Sequence, residues 1–184
     1  MKNTNLEYLK EMVIHILNKT NGLDYYKLFK VLYFAEMEHL AKWGVPMIEE
    51  DEFCALEHGP VPSRLFNAVK GLDLLSNCDA RYIHDSVKFV GPEAPYVLIA
   101  TREPNMDYLS RSNIEALDKS IDENAHLSFN ELKEKSHDEA WKEAWDKNEG
   151  RRVMSILSIA KVKIVEDYIL EYLEENLLMR SVLG

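Results

Sequence analysis

Lys27-Leu28-Phe29-Lys30-Val31-Leu32-Tyr33-Phe34-Ala35 is the stretch on which the fold of this chain turns. Asp24 stands before it as a helix cap, and its interior is apolar on nearly every face of a helix. A helix that is apolar all round is normally buried, so this one is expected to be the central pillar of the core. It ends near Trp43-Gly44, and Pro46 forbids continuation.

On the N-terminal side, Leu6, Leu9, Val13, Ile16 and Leu17 recur at helical spacing and stop before Asn21-Gly22. Thr4-Asn5-Leu6-Glu7 has the form of a capping box, with Thr4 as the cap. On the C-terminal side, Glu52 to His58 reads as a short extended segment, with Phe53 and Ala55 on one face and Cys54 and Leu56 on the other. Pro60 and Pro62 keep the chain extended, because each proline biases its predecessor away from helix. Glu57-His58-Gly59-Pro60-Val61 is therefore a rigid bend joining strand to helix. Pro62 suits the first turn of a third helix that carries Leu65, Phe66 and Val69 and ends at Gly71.

The period then changes. Ile83, Asp85, Val87 and Phe89 alternate with Tyr82, His84, Ser86 and Lys88, and Tyr96 to Thr101 is rich in strand formers. Gly91 to Pro95 makes the turn of a small antiparallel hairpin, to which the strand at Glu52 is a candidate addition. Helices resume after Leu109, one of them marked by Ile114, Leu117 and Ile121. Ser128-Phe129-Asn130-Glu131 and Ser136-His137-Asp138-Glu139 read as two further capping boxes, the second opening a segment with Trp141 and Trp145. A last long helix, about Lys161 to Met179, should turn Val165, Ile169, Tyr172 and Leu173 inward and an acidic face outward. The expected fold is α+β and mostly α, a helical domain with a small antiparallel β-hairpin or sheet. One domain over 1–184 is the simplest account, since repeats, low-complexity tracts and clear linkers are absent.

Composition narrows the function. Of 184 residues, 46% are hydrophobic and 29% charged, which is ordinary for a globular chain and not for a disordered one. The formal net charge of −10 repels phosphate backbones and anionic membranes, so nucleic acid and membrane partners are not expected. The basic residues Lys147, Arg151, Arg152, Lys161 and Lys163 read as solvated helix ends. Cys54 and Cys78 give neither a disulfide framework nor zinc-ligand spacing and suit a reducing compartment. The first nine residues lack the apolar core of a signal peptide, and no apolar run approaches the roughly 20 residues of a membrane span. A cytoplasmic protein is expected.

Catalytic chemistry finds no support. Cys54 and His58 would lie ~13 Å apart at strand spacing, too far to share a proton. The six histidines are scattered, and the Glu36–His39 pair lacks the second motif that a bundle metal site requires. The seven glycines are spread singly, so there is no phosphate loop. No catalytic residue, metal or cofactor is expected. Ser128 to Trp145 could supply the two short helices of a DNA-binding transcriptional regulator, but Glu131, Glu134, Asp138 and Glu139 make them a poor match to a major groove.

The combined pattern has a family likeness. The stretch Lys27 to Ala35, then His39-Leu40-Ala41-Lys42-Trp43-Gly44-Val45-Pro46, then Phe53-Cys54-Ala55-Leu56-Glu57-His58-Gly59-Pro60-Val61-Pro62 resembles the Panacea domain. This is the SocA-like antitoxin family of bacterial toxin–antitoxin operons and prophages. Leu127-Ser128, Leu132 and the Trp141 region also look like it, so the resemblance spans roughly Leu6 to Trp145. A C-terminal helical segment, about 149–184, falls outside it. The resemblance implies neutralisation of a cognate toxin by direct contact. The family's namesake acts as a proteolytic adaptor, which makes an ATP-dependent protease a second candidate partner, and self-association stays open. Tyr33, Gly59, Pro60, Val61 and Trp141 are expected to serve the motif structurally. Glu57 and His58, polar and held on a rigid turn, are the expected partner contacts, pointing into a groove beside His39 and Arg64.

Overall fold

The computed structural model describes residues 6–72, 74–90, 97–147, 150–164 and 166–183. Its centre is helix α2, Tyr25–Trp43, which follows α1, Glu7–Lys19, and a two-residue strand β1, Leu23–Asp24. The Asp24 carboxylate accepts the Lys27 N–H at 2.9 Å and so caps α2. Gly44 ends it in the left-handed conformation, φ 63°, with its N–H on the Leu40 carbonyl. Every residue from Leu28 through Leu40 is buried, as the apolar sequence requires. Helix α5, Arg111–Asn124, packs most extensively on α2, and α6, Phe129–Ser136, and α8, Ile156–Lys163, complete the surround.

Burial on all sides leaves the polar groups of α2 dependent on other elements. The Glu36 carboxyl accepts the N–H groups of Met47 and Ile48 at 2.9–3.2 Å, which fastens the loop after Gly44. Glu38 pairs with Lys119 of α5 and with Lys163 of α8. The Tyr33 hydroxyl donates to Asp138 at 2.7 Å.

Strands β2, Phe53–Leu56, and β3, Gly59–Pro62, form a hairpin with a two-residue turn and lead into α3, Ser63–Lys70. Helix α4, Cys78–Ile83, precedes β4, Val87–Val90, and β5, Val97–Ala100. Strand β5 pairs antiparallel with β4 on one edge and with β1 on the other. A 3-10 turn at Met106–Tyr108 precedes α5, and α7, Glu139–Asp146, lies between α6 and α8. Helix α9, Asp167–Leu183, closes the described chain. The fold is α+β and mostly α, and no helix among the described residues is long and apolar enough to cross a membrane.

Several local expectations differ from the structure. The Glu52 segment does not extend the β4–β5 sheet, because the turn at Glu57-His58 folds it back onto its own sequel. The alternation read from Tyr82 begins only at Val87. Asn77 accepts the Ala80 N–H at 2.7 Å and starts a helical turn that takes in Tyr82 and Ile83. Pro62 caps α3 from outside its first turn. The free N–H groups there are held by Asp51, which accepts from Arg64 at 2.8 Å and Leu65 at 2.9 Å. Glu50 likewise accepts from Tyr8 and Leu9 at the start of α1, so adjacent acids cap two helices remote from each other in sequence. The Thr4 cap and the Gly91–Pro95 turn lie outside the described residues, and α1 runs from Glu7 with Leu6 at its cap position. Ser128 makes its capping box with Glu131, whereas Ser136 ends α6 and Asp138 caps α7 through the Trp141 N–H. The single last helix is two, since Ile164 is extended between α8 and α9. Leu173 is buried there but Tyr172 is 51% exposed, and Val165 lies outside the described residues.

Burial pushes the Glu36 carboxyl up from its ordinary 4.5 to about 8. The folded chain then holds a proton that the unfolded chain has released, so this group's contribution to stability falls as pH rises from 4.5 to about 8. Glu36→Gln keeps an acceptor for the loop without the cost of ionisation, so it should be at least as stable as the natural chain at pH 7, with a flatter pH profile. Glu36→Ala leaves two buried N–H groups unpaired and should cost about 2–4 kcal/mol. Urea denaturation of the three proteins from pH 4.5 to 8 measures both.

Candidate binding groove

The β2–β3 hairpin is built around Gly59. Its φ of +98° is one that side-chain-bearing residues rarely adopt, and a Cβ there would stand 2.5 Å from the Ser136 hydroxyl and 2.9 Å from the Lys30 ammonium. Pro60 and Pro62 have no N–H to give, so β3 contributes few ladder bonds. Side chains from elsewhere fix the hairpin through its carbonyls. The Trp141 indole N–H donates to Leu56 O at 2.9 Å, the Tyr26 hydroxyl to His58 O at 3.1 Å, and the Lys30 ammonium to Pro60 O at 2.7 Å. One helix from late in the chain and two residues of α2 thus hold three alternate carbonyls of the turn.

Between this turn, the first turns of α2, α3 and the start of α6 lies a groove of about 820 Å³. Its walls are largely aromatic. The Tyr26 and Phe129 rings lie 4.4 Å apart, His58 packs edge-on against Phe129 at 5.4 Å, and Phe29 meets Phe66 at 6.0 Å. Phe129 is 44% exposed at the mouth, an unusual position for a phenylalanine that a fold does not need inside. Three lysines, Lys27, Lys30 and Lys70, reach the same cavity, opposed by Asp24 and Glu57. Lys30 is wholly buried, with its ammonium 4.9 Å from the centre of the Tyr26 ring. Burial drives it down from 10.5 to about 7.

The expected site residues divide by place. Glu57 and His58 are exposed and line the groove, while Gly59, Pro60 and Val61 are buried in the hairpin. Tyr33 is fully buried and Trp141 nearly so, stacked between His137 at 3.7 Å and Trp145 at 5.0 Å. His39 and Arg64 do not join Glu57 and His58. His39 sits far along α2, between Val45 O at 2.8 Å and Ser112 Oγ at 3.0 Å, and burial holds its pKa down. Arg64 forks onto Asp79 at 2.7 and 3.1 Å and reaches Glu50 O. Thirteen residues of helix, ~20 Å, separate Tyr26 at the groove from His39, while Arg64 is engaged by Asp79 and Glu50 O. Cys54 faces Val61 across the hairpin, and burial pushes its thiol up, which weakens it as a nucleophile. Among the described residues no group of three or more His, Cys, Asp or Glu is placed to hold a metal ion.

The Panacea-domain model of SocA-like antitoxins matches residues 28–142. The chain belongs to this family. The match opens on the interior of α2, takes in the whole hairpin and closes one residue beyond Trp141, so most of the groove, with Phe29, Lys30, Phe66 and Phe129, lies within it, while Asp24 to Lys27 stand just before it. Helix α1 and the segment from 143 onward lie outside the matched residues, a narrower span than the sequence pattern implied. No curated protein and no solved structure matches the chain.

Sequence reasoning missed Lys30, Tyr26, Phe66 and Phe129 as groove residues. The signal for Lys30 was present, since a lysine in the middle of an all-buried helix contradicts its surroundings. Phe129 carried one too, as an aromatic at the first position of a capped helix faces out. Gly59→Ala should destabilise the domain by about 2 kcal/mol or more in urea, through backbone strain and the clash over Lys30. The lowered Lys30 pKa means that the unfolded chain binds the extra proton, so stability gains from this residue as pH rises from about 7 to 10.5. That gain should be absent from Lys30→Met when the two are denatured side by side across the range.

Proposed function

We propose that this Panacea domain is an antitoxin that neutralises a cognate toxin by direct contact, and that the groove beside Glu57 and His58 is the face that captures it. The observation that carries this is an aromatic cavity of about 820 Å³ open to solvent, walled by Phe29, Phe66 and Phe129 of the family match together with Tyr26 just before it. A folded chain has no internal reason to keep Phe129 and the rim at His58 uncovered, and apolar surface rimmed by polar groups marks a binding face. Glu57 and His58 act at the rim, where rigid attachment to the hairpin lowers the entropy lost on capture. Capture is the first step whether the toxin is then blocked outright or handed to an ATP-dependent protease. Family membership favours a binding role over an enzymatic one. The α6–α7 helices give little to a DNA-binding alternative, because Lys142 and Lys147 pair with Glu139 and Glu143, and Arg151 with Glu52.

The test is co-expression with the neighbouring reading frame. Its product should stop growth alone, be harmless beside the natural chain, and co-purify with it. Phe129→Glu and His58→Glu, both at exposed positions and so expected to fold, should lose rescue and weaken co-purification by at least about tenfold. Lys88→Ala, on an exposed position of β4, should change neither. A neighbour that is harmless alone, or rescue that survives both groove substitutions, defeats the proposal.

A further inference from the structure

The charge inside the groove runs against the charge of the chain. The protein carries a formal −10, yet Lys27, Lys30 and Lys70 converge on one cavity. Of the two acids there, Asp24 is engaged as the cap of α2, and Glu57 stands exposed on the rim. The first turns of α2 add the positive end of a 19-residue helix. Lys30 is the strongest anomaly. An ammonium has three donors, and among the described residues the acceptors of this one are Pro60 O and the Tyr26 ring face, with no carboxylate within ion-pair distance. Elsewhere on the inner surface, opposite charges meet, as Glu11 does with Arg102 and Glu38 with Lys119. A buried cation without an anion lowers stability unless something it binds supplies the missing charge.

We infer that the groove is built for an acidic segment of its partner, one whose Asp or Glu side chain reaches Lys30 while a neighbouring apolar or aromatic side chain packs on Tyr26, Phe66 and Phe129. This deepens the capture role proposed above and rests on the groove being the binding face. The aromatic wall accounts for the apolar half of the ligand, and the buried ammonium with its two lysine neighbours accounts for the acidic half. A basic segment would meet three like charges. A neutral one would leave Lys30 desolvated and without a counter-charge. A phosphate-rich ligand would meet a strongly negative molecule everywhere outside the groove.

A displayed library of random twelve-residue peptides, selected on the immobilised full chain, tests the class of ligand. Enriched peptides should place Asp or Glu next to an aromatic or aliphatic residue. Replacing that acid by its amide should weaken binding at least about tenfold. Lys30→Met and Lys70→Glu should do the same, the second at an exposed position that folding does not need. Failure to enrich any peptide, a consensus without acids, or equal binding to Lys30→Met and Lys70→Glu overturns the inference. If the peptides carry no acid but Phe129→Glu still abolishes rescue from the toxin, the ligand class is wrong and the capture face stands. If acidic peptides bind the groove while Phe129→Glu leaves rescue intact, the acid site stands and the toxin is held elsewhere.

Discussion

Burial of α2 on every face from Leu28 to Leu40 is the constraint on which the remainder of the structure depends. A helix enclosed on every face can keep a charged or hydroxylated residue only where another part of the chain comes to meet it. Glu36, Glu38, Tyr33 and Lys30 are all on this helix, and each has recruited a different partner: the loop at Met47, helices α5 and α8, Asp138 and the carbonyl of Pro60. These contacts reach from Met47 to Lys163, so the polar residues of one helix decide where loops and helices distant in sequence must lie.

The hairpin is the clearest consequence. Its prolines weaken its own ladder, and it is held instead by Tyr26, Lys30 and Trp141. The arrangement ties the turn rigidly to the floor of the groove, so that Glu57 and His58 project from a fixed base. It also puts an ammonium where water cannot solvate it, directly under Gly59. Stability would be better served by an apolar side chain at position 30. Retaining a cation there is intelligible if the groove works on an anion.

The segment beyond the family match is part of the same core and not an appendage. Val153 bridges to Cys54, with Met154 N–H on Phe53 O at 2.8 Å and Ala55 N–H on Arg152 O at 3.0 Å, so the chain adds itself to the free edge of β2. Helix α8 then packs on α2, and α9 lies so close to Gly44 that a Cβ there would stand 2.8 Å from the Tyr172 ring. These contacts bury Ile159, Ala160 and Leu173.

By itself, the sequence determined the central helix, its two ends, the period of most of the other elements, the mixed α+β class and the family. Those features are local: an Asp cap, a glycine stop, apolar spacing and a Gly-Pro turn act over a few residues, and nothing distant competes with them. Tertiary structure alone decided that Glu50 and Asp51 cap α1 and α3, that β1 pairs with β5, that His39 and Arg64 stand apart from Glu57 and His58, and that Lys30 lies beneath Gly59. The contacts among them join residues separated by 14 to 75 positions. Spacing along a chain carries no information about which of many polar groups will meet across a core. Only the packing of α2 against its neighbours, with every buried charge needing a partner, selects among them.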